Sequence, residues 1–152
     1  MYPLYLLLAL TIGLIVPLQS TINNQLKIVI GGSTVIAALI SFGVGTLSLL
    51  LISLLTQQKW SSFTQLGQAT WWQLTGGAMG ALFVFGTTLL APRIGVAVML
   101  AVIICGQILA SLLFDRFGIL GLPVRELSTP RLLGAALVLV GVLLVSFGDR
   151  LR

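Results

Sequence analysis

Histidine is absent from the sequence, cysteine occurs once, and only three of its 152 residues are acidic. A single cysteine, Cys105, cannot form a disulfide framework within the chain. With no histidine and few carboxylates, the side chains that build most catalytic and metal sites are nearly missing. These shortages predict that the chain is not an enzyme and that it holds neither a metal ion nor a cofactor.

Charged residues in general are scarce. They make up 7% of the chain, and its eight lysines and arginines are spread between apolar runs. A protein that binds nucleic acid would carry its basic residues together on one face, so no nucleic-acid partner is expected. Isolated cations between apolar runs are typical of a membrane protein, which places them at the lipid headgroups.

Apolar residues dominate what is present: 58% of the chain is hydrophobic, and its mean hydropathy is +1.16. A soluble domain of this length cannot bury so much apolar surface. The sequence therefore predicts an all-α integral membrane protein in which residues 1–152 form a single domain. Runs of about 20 residues, long enough to cross a hydrocarbon core, predict five transmembrane helices at about residues 2–22, 34–55, 72–91, 94–114 and 131–148.

The segments between these runs are too short for a soluble domain, and they carry interfacial signals. Three tryptophans flank one connection, as aromatic residues at a membrane surface do: Trp60, Trp71 and Trp72. Thr129 followed by Pro130 predicts a helix N-cap with proline at the first helical position.

The stretch LIVPLQSTINNQL places a proline and several uncharged amides at the end of the first apolar run. Pro17 cannot donate to the carbonyl of Gly13, so the helix is expected to kink or loosen there. Either the helix ends near Val16, or it continues and turns Gln19 and Asn23 toward the bundle interior. A helix ending at Val16 would be about 22 Å long, shorter than a hydrocarbon core of about 30 Å, which favours continuation.

A further uncharged amide, Gln107, lies deep in the fourth span beside Gly106. Gln107 precedes Asp115 by the same number of residues as Gln19 precedes Lys27, about 12 Å of helix in each case. Since the first and fourth helices run in opposite directions, both glutamines are expected near the membrane midplane, where transporter sites lie. A lone buried glutamine can also simply hold helices together. Two amides at one depth favour a site.

Small residues recur at helical spacing, most regularly in the fifth span. Gly134, Gly141 and Gly148 fall on one stripe there. Such stripes let helix backbones approach closely in lipid. We expect this stripe to pack either against another helix of the same chain or across a dimer seam.

The three carboxylates all fall at span ends or in connections: Asp115, Glu126 and Asp149. Proton-coupled export of cations usually relies on a membrane-embedded acid, so that mechanism is not expected. Asp115, beside Arg116, is instead expected to be an interfacial charge.

Three stretches of the chain resemble one known family. "VPLQSTINNQL", "APRIGVAVMLAVIICGQILASLLFDRFGILGLP" and "TPRLLGAALVLVGVLL" are similar to the small five-span membrane proteins of the YdcZ type, which are assigned to the drug/metabolite transporter superfamily. The most specific parts are the Gln-x-x-x-Asn of the first helix and the run from Gly106-Gln107 to Asp115-Arg116-Phe117-Gly118. The family's fourth helix often ends in Asp-His-Phe-Gly, and Arg116 replaces that histidine here. The resemblance covers nearly the whole chain and implies a ten-helix transporter made from two five-helix units, without naming a substrate.

The charges that set orientation in the membrane are balanced. Five spans place four cations on the face of the N-terminus: Lys59, Arg116, Arg125 and Arg131. Four lie on the opposite face: Lys27, Arg93, Arg150 and Arg152. Because an excess of lysine and arginine fixes topology, this chain is expected to insert in both orientations. Two opposed copies would form an inverted repeat, so an antiparallel homodimer is predicted, with an oppositely oriented paralogue as the alternative partner.

The sequence thus predicts a transporter of the bacterial inner membrane that moves a small neutral, zwitterionic or amphipathic solute by alternating access among membrane lipids. The predicted solute-binding residues are Gln19, Asn23 and Gln107. The predicted hinge residues are Gly13, Pro17 and Gly106. Phe83 and Phe85 are examples of an expected apolar lining. The rival interpretation is a non-transporting, lipid-binding or structural membrane protein whose amides only lock helices together.

Overall fold

The computed structural model describes residues 2–148, and five of its helices are long and apolar enough to cross a membrane. These helices are α1 Tyr2–Val29, α2 Thr34–Leu55, α3 Thr75–Ile94, α4 Val96–Phe117 and α5 Thr129–Phe147. The predicted all-α fold with five membrane-spanning helices is therefore confirmed. Asp149, Arg150 and Arg152, which entered the charge count, lie outside the described residues.

The chain divides into two compact units, Met1–Arg93 and Ile94–Arg152. The first unit contains α1, α2 and nearly all of α3, and the second contains α4 and α5. Within the second unit, α4 and α5 pack against each other, and within the first, α1 packs against α2. That residues 1–152 form one domain stays a prediction.

Helix α1 runs through its proline without a break and ends at Val29, beyond the predicted limit at residue 22. The alternative that it ends near Val16 is wrong. Ser20 Oγ and Thr21 Oγ1 both donate to the carbonyl oxygen of Pro17, at 3.0 and 2.9 Å. A continuous helix keeps its backbone groups paired in hydrocarbon, where no water can pair with them.

Two glycines end α1 and leave α2 free to start. Gly31 and Gly32 have φ angles of 84° and 94°, and the amide of Gly32 donates to the carbonyl of Lys27 at 2.8 Å. Ser33 then caps α2, its side chain accepting from the amide of Ile36 at 3.3 Å. Helix α2 accordingly has the predicted bounds.

The connection between α2 and α3 is partly helical. It contains two 3₁₀ segments, Trp60–Gln68 and Trp71–Leu74, and α3 starts three residues later than predicted. Trp60 stacks on Phe63 with ring centroids 5.7 Å apart. All three tryptophans are exposed, as the predicted position at the membrane surface requires.

The N-cap of α5 lies one residue before the predicted one, and the helix begins two residues before the predicted limit at residue 131. Ser128, not Thr129, is the N-cap, and Pro130 is the second helical residue rather than the first. The carbonyl of Ser128 accepts from the amides of Arg131 and Leu132 at 3.0 and 3.1 Å. The Ser128 carbonyl thus makes the first backbone bonds of the helix, and its side chain makes no capping hydrogen bond.

An ion pair joins the end of α4 to the start of α5. Asp115 Oδ2 accepts from Arg131 at 2.5 Å, so the partner of this carboxylate is Arg131 and not its sequence neighbour Arg116. An acid near a helix C-terminus and a base near a helix N-terminus each oppose the helix dipole. Pairing them neutralises both. The amide of Arg125 also donates to the backbone carbonyl of Asp115, at 2.7 Å.

The residue that ends α4 is a glycine with a nearby chain segment packed closely against it. Gly118 has φ +61°, and a Cβ there would lie 2.8 Å from Val124 Cγ2 and 3.0 Å from the carbonyl oxygen of Leu122. Gly121, three residues on, has φ +80° with open space around its Cβ position. The two glycines share a left-handed conformation, but a neighbouring chain segment crowds Gly118 alone.

Gly118→Ala should therefore destabilise the protein more than Gly121→Ala. In both variants, an alanine in the left-handed conformation lowers the free energy of unfolding by about 1–2 kcal/mol. Gly118→Ala must also displace the backbone at Leu122. The measurement is the thermal unfolding midpoint of the detergent-solubilised protein. Equal midpoints for the two variants would contradict the account of the α4–α5 connection.

Candidate functional site

A cleft of about 370 Å³ opens between α1, α2 and α3 of the first unit. Its lining residues are Gln19, Ser41, Phe42, Gly45, Thr46, Ser48, Leu49 and Val84. The hydroxyls of Thr46 and Ser48 are already paired, since each donates to a backbone carbonyl of its own helix at 2.9 Å. The lining therefore offers two unpaired polar groups, the Gln19 carboxamide and the Ser41 hydroxyl, on otherwise apolar or self-paired walls.

Phe42 separates this cleft from a second one of about 540 Å³ between α2 and α3. The second cleft is lined by Val35, Ala38, Leu39, Phe42, Ala78, Ala81, Leu82 and Phe85. Phe85 thus lines a cleft as expected, whereas Phe83 is not among the lining residues of either one. The ring of Phe42 rests against α3 where Gly80 has no side chain: a Cβ at Gly80 would lie 3.3 Å from Phe42 Cζ.

Buried polar side chains of the first unit lie on two of its helices. Ser20 and Asn23 of α1 are 1% and 4% exposed, and Thr87 and Thr88 of α3 are 4% and 0% exposed. Asn23 Nδ2 and Thr88 Oγ1 have no hydrogen-bond partner. The predicted inward position of Asn23 fits its burial.

Ser20, Thr87 and Thr88 were not predicted as site residues from the sequence. A signal was present in α3, where two adjacent hydroxyl residues interrupt an apolar run at FVFGTTLLAP. Thr88 also follows Val84 by one helical turn, and Val84 lines the cleft. Helical spacing therefore places Thr88 on the same face of α3 as Val84.

The predicted glutamines lie near the middle of their own helices. Gln107 is ten residues before the end of α4, and Gln19 is ten residues before the end of α1. Each is therefore about 15 Å from a helix end. Both side chains are exposed on the single chain, and neither carboxamide has a hydrogen-bond partner among residues 2–148. Because Gln107 belongs to the second unit, a shared site with Gln19 and Asn23 stays a prediction.

The predicted hinge and seam glycines have free space beside them. Apart from chain neighbours and the local helix backbone, no atom lies within 4 Å of a Cβ placed at Gly13 or Gly106, nor at any member of the stripe Gly134, Gly141 and Gly148. The stripe on α5 is thus not packed tightly against another helix of the described chain. Gating at Gly13, Pro17 and Gly106 stays a prediction.

Comparison with known proteins gives two matches. The family described as "Putative inner membrane exporter, YdcZ" matches residues 4–144. The inner membrane protein YdcZ of Escherichia coli (strain K12) is 32% identical over 141 residues, which cover 92% of this chain and 91% of that protein. No solved structure matches the chain.

Five apolar helices and similarity to an inner membrane protein define a multi-pass protein of the inner membrane. The chain belongs to the YdcZ family, since the family match covers most of its length. The predicted family and localisation are confirmed. The family description names an exporter, which is a transport class rather than an enzyme class.

The contact between Phe42 and α3 yields a matched pair of variants. Gly80→Ala should lower the thermal unfolding midpoint, because the new methyl group must push the Phe42 ring away, and overpacking costs about 1–3 kcal/mol. Gly76→Ala, one turn earlier on α3 with open space at its Cβ position, should leave the midpoint unchanged or raise it. A Gly80→Ala protein as stable as Gly76→Ala would show that Phe42 does not pack on α3.

Proposed function

We propose that the protein is a transporter that moves a small neutral, zwitterionic or amphipathic solute by alternating access, working as an antiparallel dimer. The observation that carries this proposal is the pair of unpaired carboxamides at Gln19 and Gln107, each near the middle of a membrane-spanning helix. Export is the proposed direction, since the family description names an exporter.

The cost of an amide in hydrocarbon supports this proposal. Moving an amide from water into a solvent without hydrogen-bonding groups costs about 4–8 kcal/mol. Gln19 and Gln107 therefore need a partner that a single described chain does not supply. A solute held between the glutamines would supply it, and so would a second copy of the chain.

The chemistry of the lining limits the solute. Carboxamides pair with neutral or zwitterionic polar groups through both donors and acceptors. Apart from the hydroxyls of Ser41, Thr46 and Ser48, the clefts of the first unit are lined by apolar residues, and Phe42 lines both of them. A solute with a polar end and an apolar body fits such a lining.

The antiparallel dimer is supported by charge and by open surface. The lysines and arginines divide equally between the two membrane faces, so topology has no clear bias. The glycine stripe on α5 is open to close approach by another helix. Two opposed five-helix chains would make an inverted repeat around a midplane site, an arrangement found in many transporters that work by alternating access.

Replacing the amides should separate binding from folding. Asn23→Leu and Gln107→Leu should each leave the protein folded and dimeric, because interhelical hydrogen bonds in lipid contribute only about 1 kcal/mol. Both should abolish binding of the solute, since a site built for hydrogen bonds discriminates strongly against loss of a partner. The measurement is a thermal-shift screen of small solutes, followed by titration of the hits on both variants. Hits that bind both variants as tightly as the parent would favour a structural role for the amides.

Orientation can be tested independently of any solute. Reporter fusions at the C-terminus should show the unmodified protein on both sides of the inner membrane. Adding two lysines after Arg152 should drive the C-terminus to the cytoplasm, because the added charges create a bias. One fixed orientation that the lysines do not change would contradict the antiparallel homodimer.

A further inference from the structure

Two buried polar side chains of the first unit, one on α1 and one on α3, have atoms without a hydrogen-bond partner. Gln19 of α1 and Val84 of α3 line the same cleft. One helical turn further along lie Asn23 and Thr88, each six residues, or about 9 Å, before the end of its helix. Consecutive spans alternate in direction, so α1 and α3 run the same way, and the two residues lie equally far from the ends of their helices. We name this pair the Asn23–Thr88 layer.

Three features of this layer call for a ligand. Asn23 Nδ2 and Thr88 Oγ1 are buried and unpaired. The carbonyl of Thr88 also lacks its regular helical donor, because the residue four positions later is Pro92. Leaving a buried donor or acceptor unpaired costs about 1–3 kcal/mol, and hydrocarbon offers nothing to pair with it.

Neighbouring hydroxyls of equal burial do not share this property. Ser20 Oγ donates to the carbonyl of Pro17 at 3.0 Å, and Thr87 Oγ1 donates to the carbonyl of Val84 at 3.1 Å. Hydroxyls in apolar helices ordinarily pair with their own backbone in this way. Thr88 is an exception to that pattern, and it lies in the same layer as the unpaired amide of Asn23.

We infer that the Asn23–Thr88 layer binds a hydroxyl group of the solute. Asn23 Nδ2 donates to the hydroxyl oxygen, and Thr88 Oγ1 accepts the hydroxyl hydrogen. A hydroxyl suits this layer because it donates and accepts at one atom. The described residues that line the adjoining cleft include no charged side chain, which fits a neutral alcohol rather than an ion.

The apolar body of the alcohol would lie in the adjoining cleft, against Phe42 and Leu49. The inference rests on the proposed transport function in one respect: it takes the bound alcohol to be the transported solute. Binding of an alcohol to the layer can be measured without transport.

The test compares benzyl alcohol with toluene, which has a similar apolar body and no hydroxyl. Each is added to the full-length protein in detergent, and the thermal unfolding midpoint is recorded as a function of concentration. Benzyl alcohol should raise the midpoint of the parent relative to toluene. Thr88→Val and Asn23→Leu should lose that difference, with binding of benzyl alcohol weakened up to about tenfold, as expected for one hydrogen bond.

Matched variants control for effects on folding. Thr87→Val removes a hydroxyl of similar burial that is already paired, so it should keep the response to benzyl alcohol. Thr88→Ser retains a hydroxyl and should also keep it. Without any ligand, Thr88→Val should be at least as stable as the parent, since a methyl group replaces an unpaired hydroxyl. A clearly less stable Thr88→Val would show that the hydroxyl has a partner within the protein and would overturn the inference.

The same experiment distinguishes failure of this inference from failure of the proposed function. Full binding by Thr88→Val, or an equal loss in Thr87→Val, would overturn the inference and leave the proposed transporter intact. A response that depends on Thr88 in a protein that transports no solute would support the layer and refute the transport function.

Discussion

Hydrocarbon offers no hydrogen-bond partner, and this constraint governs the whole chain. Backbone groups must pair internally, so each span is a helix. Helix α1 accordingly continues past Pro17 instead of ending where the polar residues start. The same constraint applies to side chains, because a polar group in a span must find an atom of the protein or of a ligand. A polar group in a span that pairs with no atom of its own chain is therefore expected to bind a ligand or a second chain.

Hydroxyls and amides meet this constraint in different ways. Seven serine and threonine side chains of α1, α2 and α4 donate to a carbonyl three or four residues earlier in the same helix: Thr11, Ser20, Thr21, Thr46, Ser48, Ser53 and Ser111. A carboxamide is too long and has too many donors to be satisfied like this. The unpaired Gln19, Asn23 and Gln107 are therefore the side chains with the most to gain from a solute or a second chain.

The membrane fold could be predicted because span length and hydropathy follow directly from bilayer thickness. The bounds of α1 and α3 could not, since they depend on local capping at Gly31–Gly32 and on 3₁₀ turns before Thr75. The partner of Asp115 was missed because Arg131 is distant in sequence and becomes a neighbour only when α4 packs on α5. Thr88 was missed because hydroxyls in helices usually pair with their own backbone, and only the structure reveals that Thr88, like Ser146, does not.

The central proposal is that unpaired amides within the spans hold a solute between two opposed chains. An experimental structure of the protein in lipid nanodiscs would test this claim most directly. The account predicts an antiparallel dimer with non-protein density within hydrogen-bonding distance of Asn23 Nδ2 and of the Gln107 carboxamide. A monomer or parallel dimer, with these amides paired only to other side chains, would contradict it.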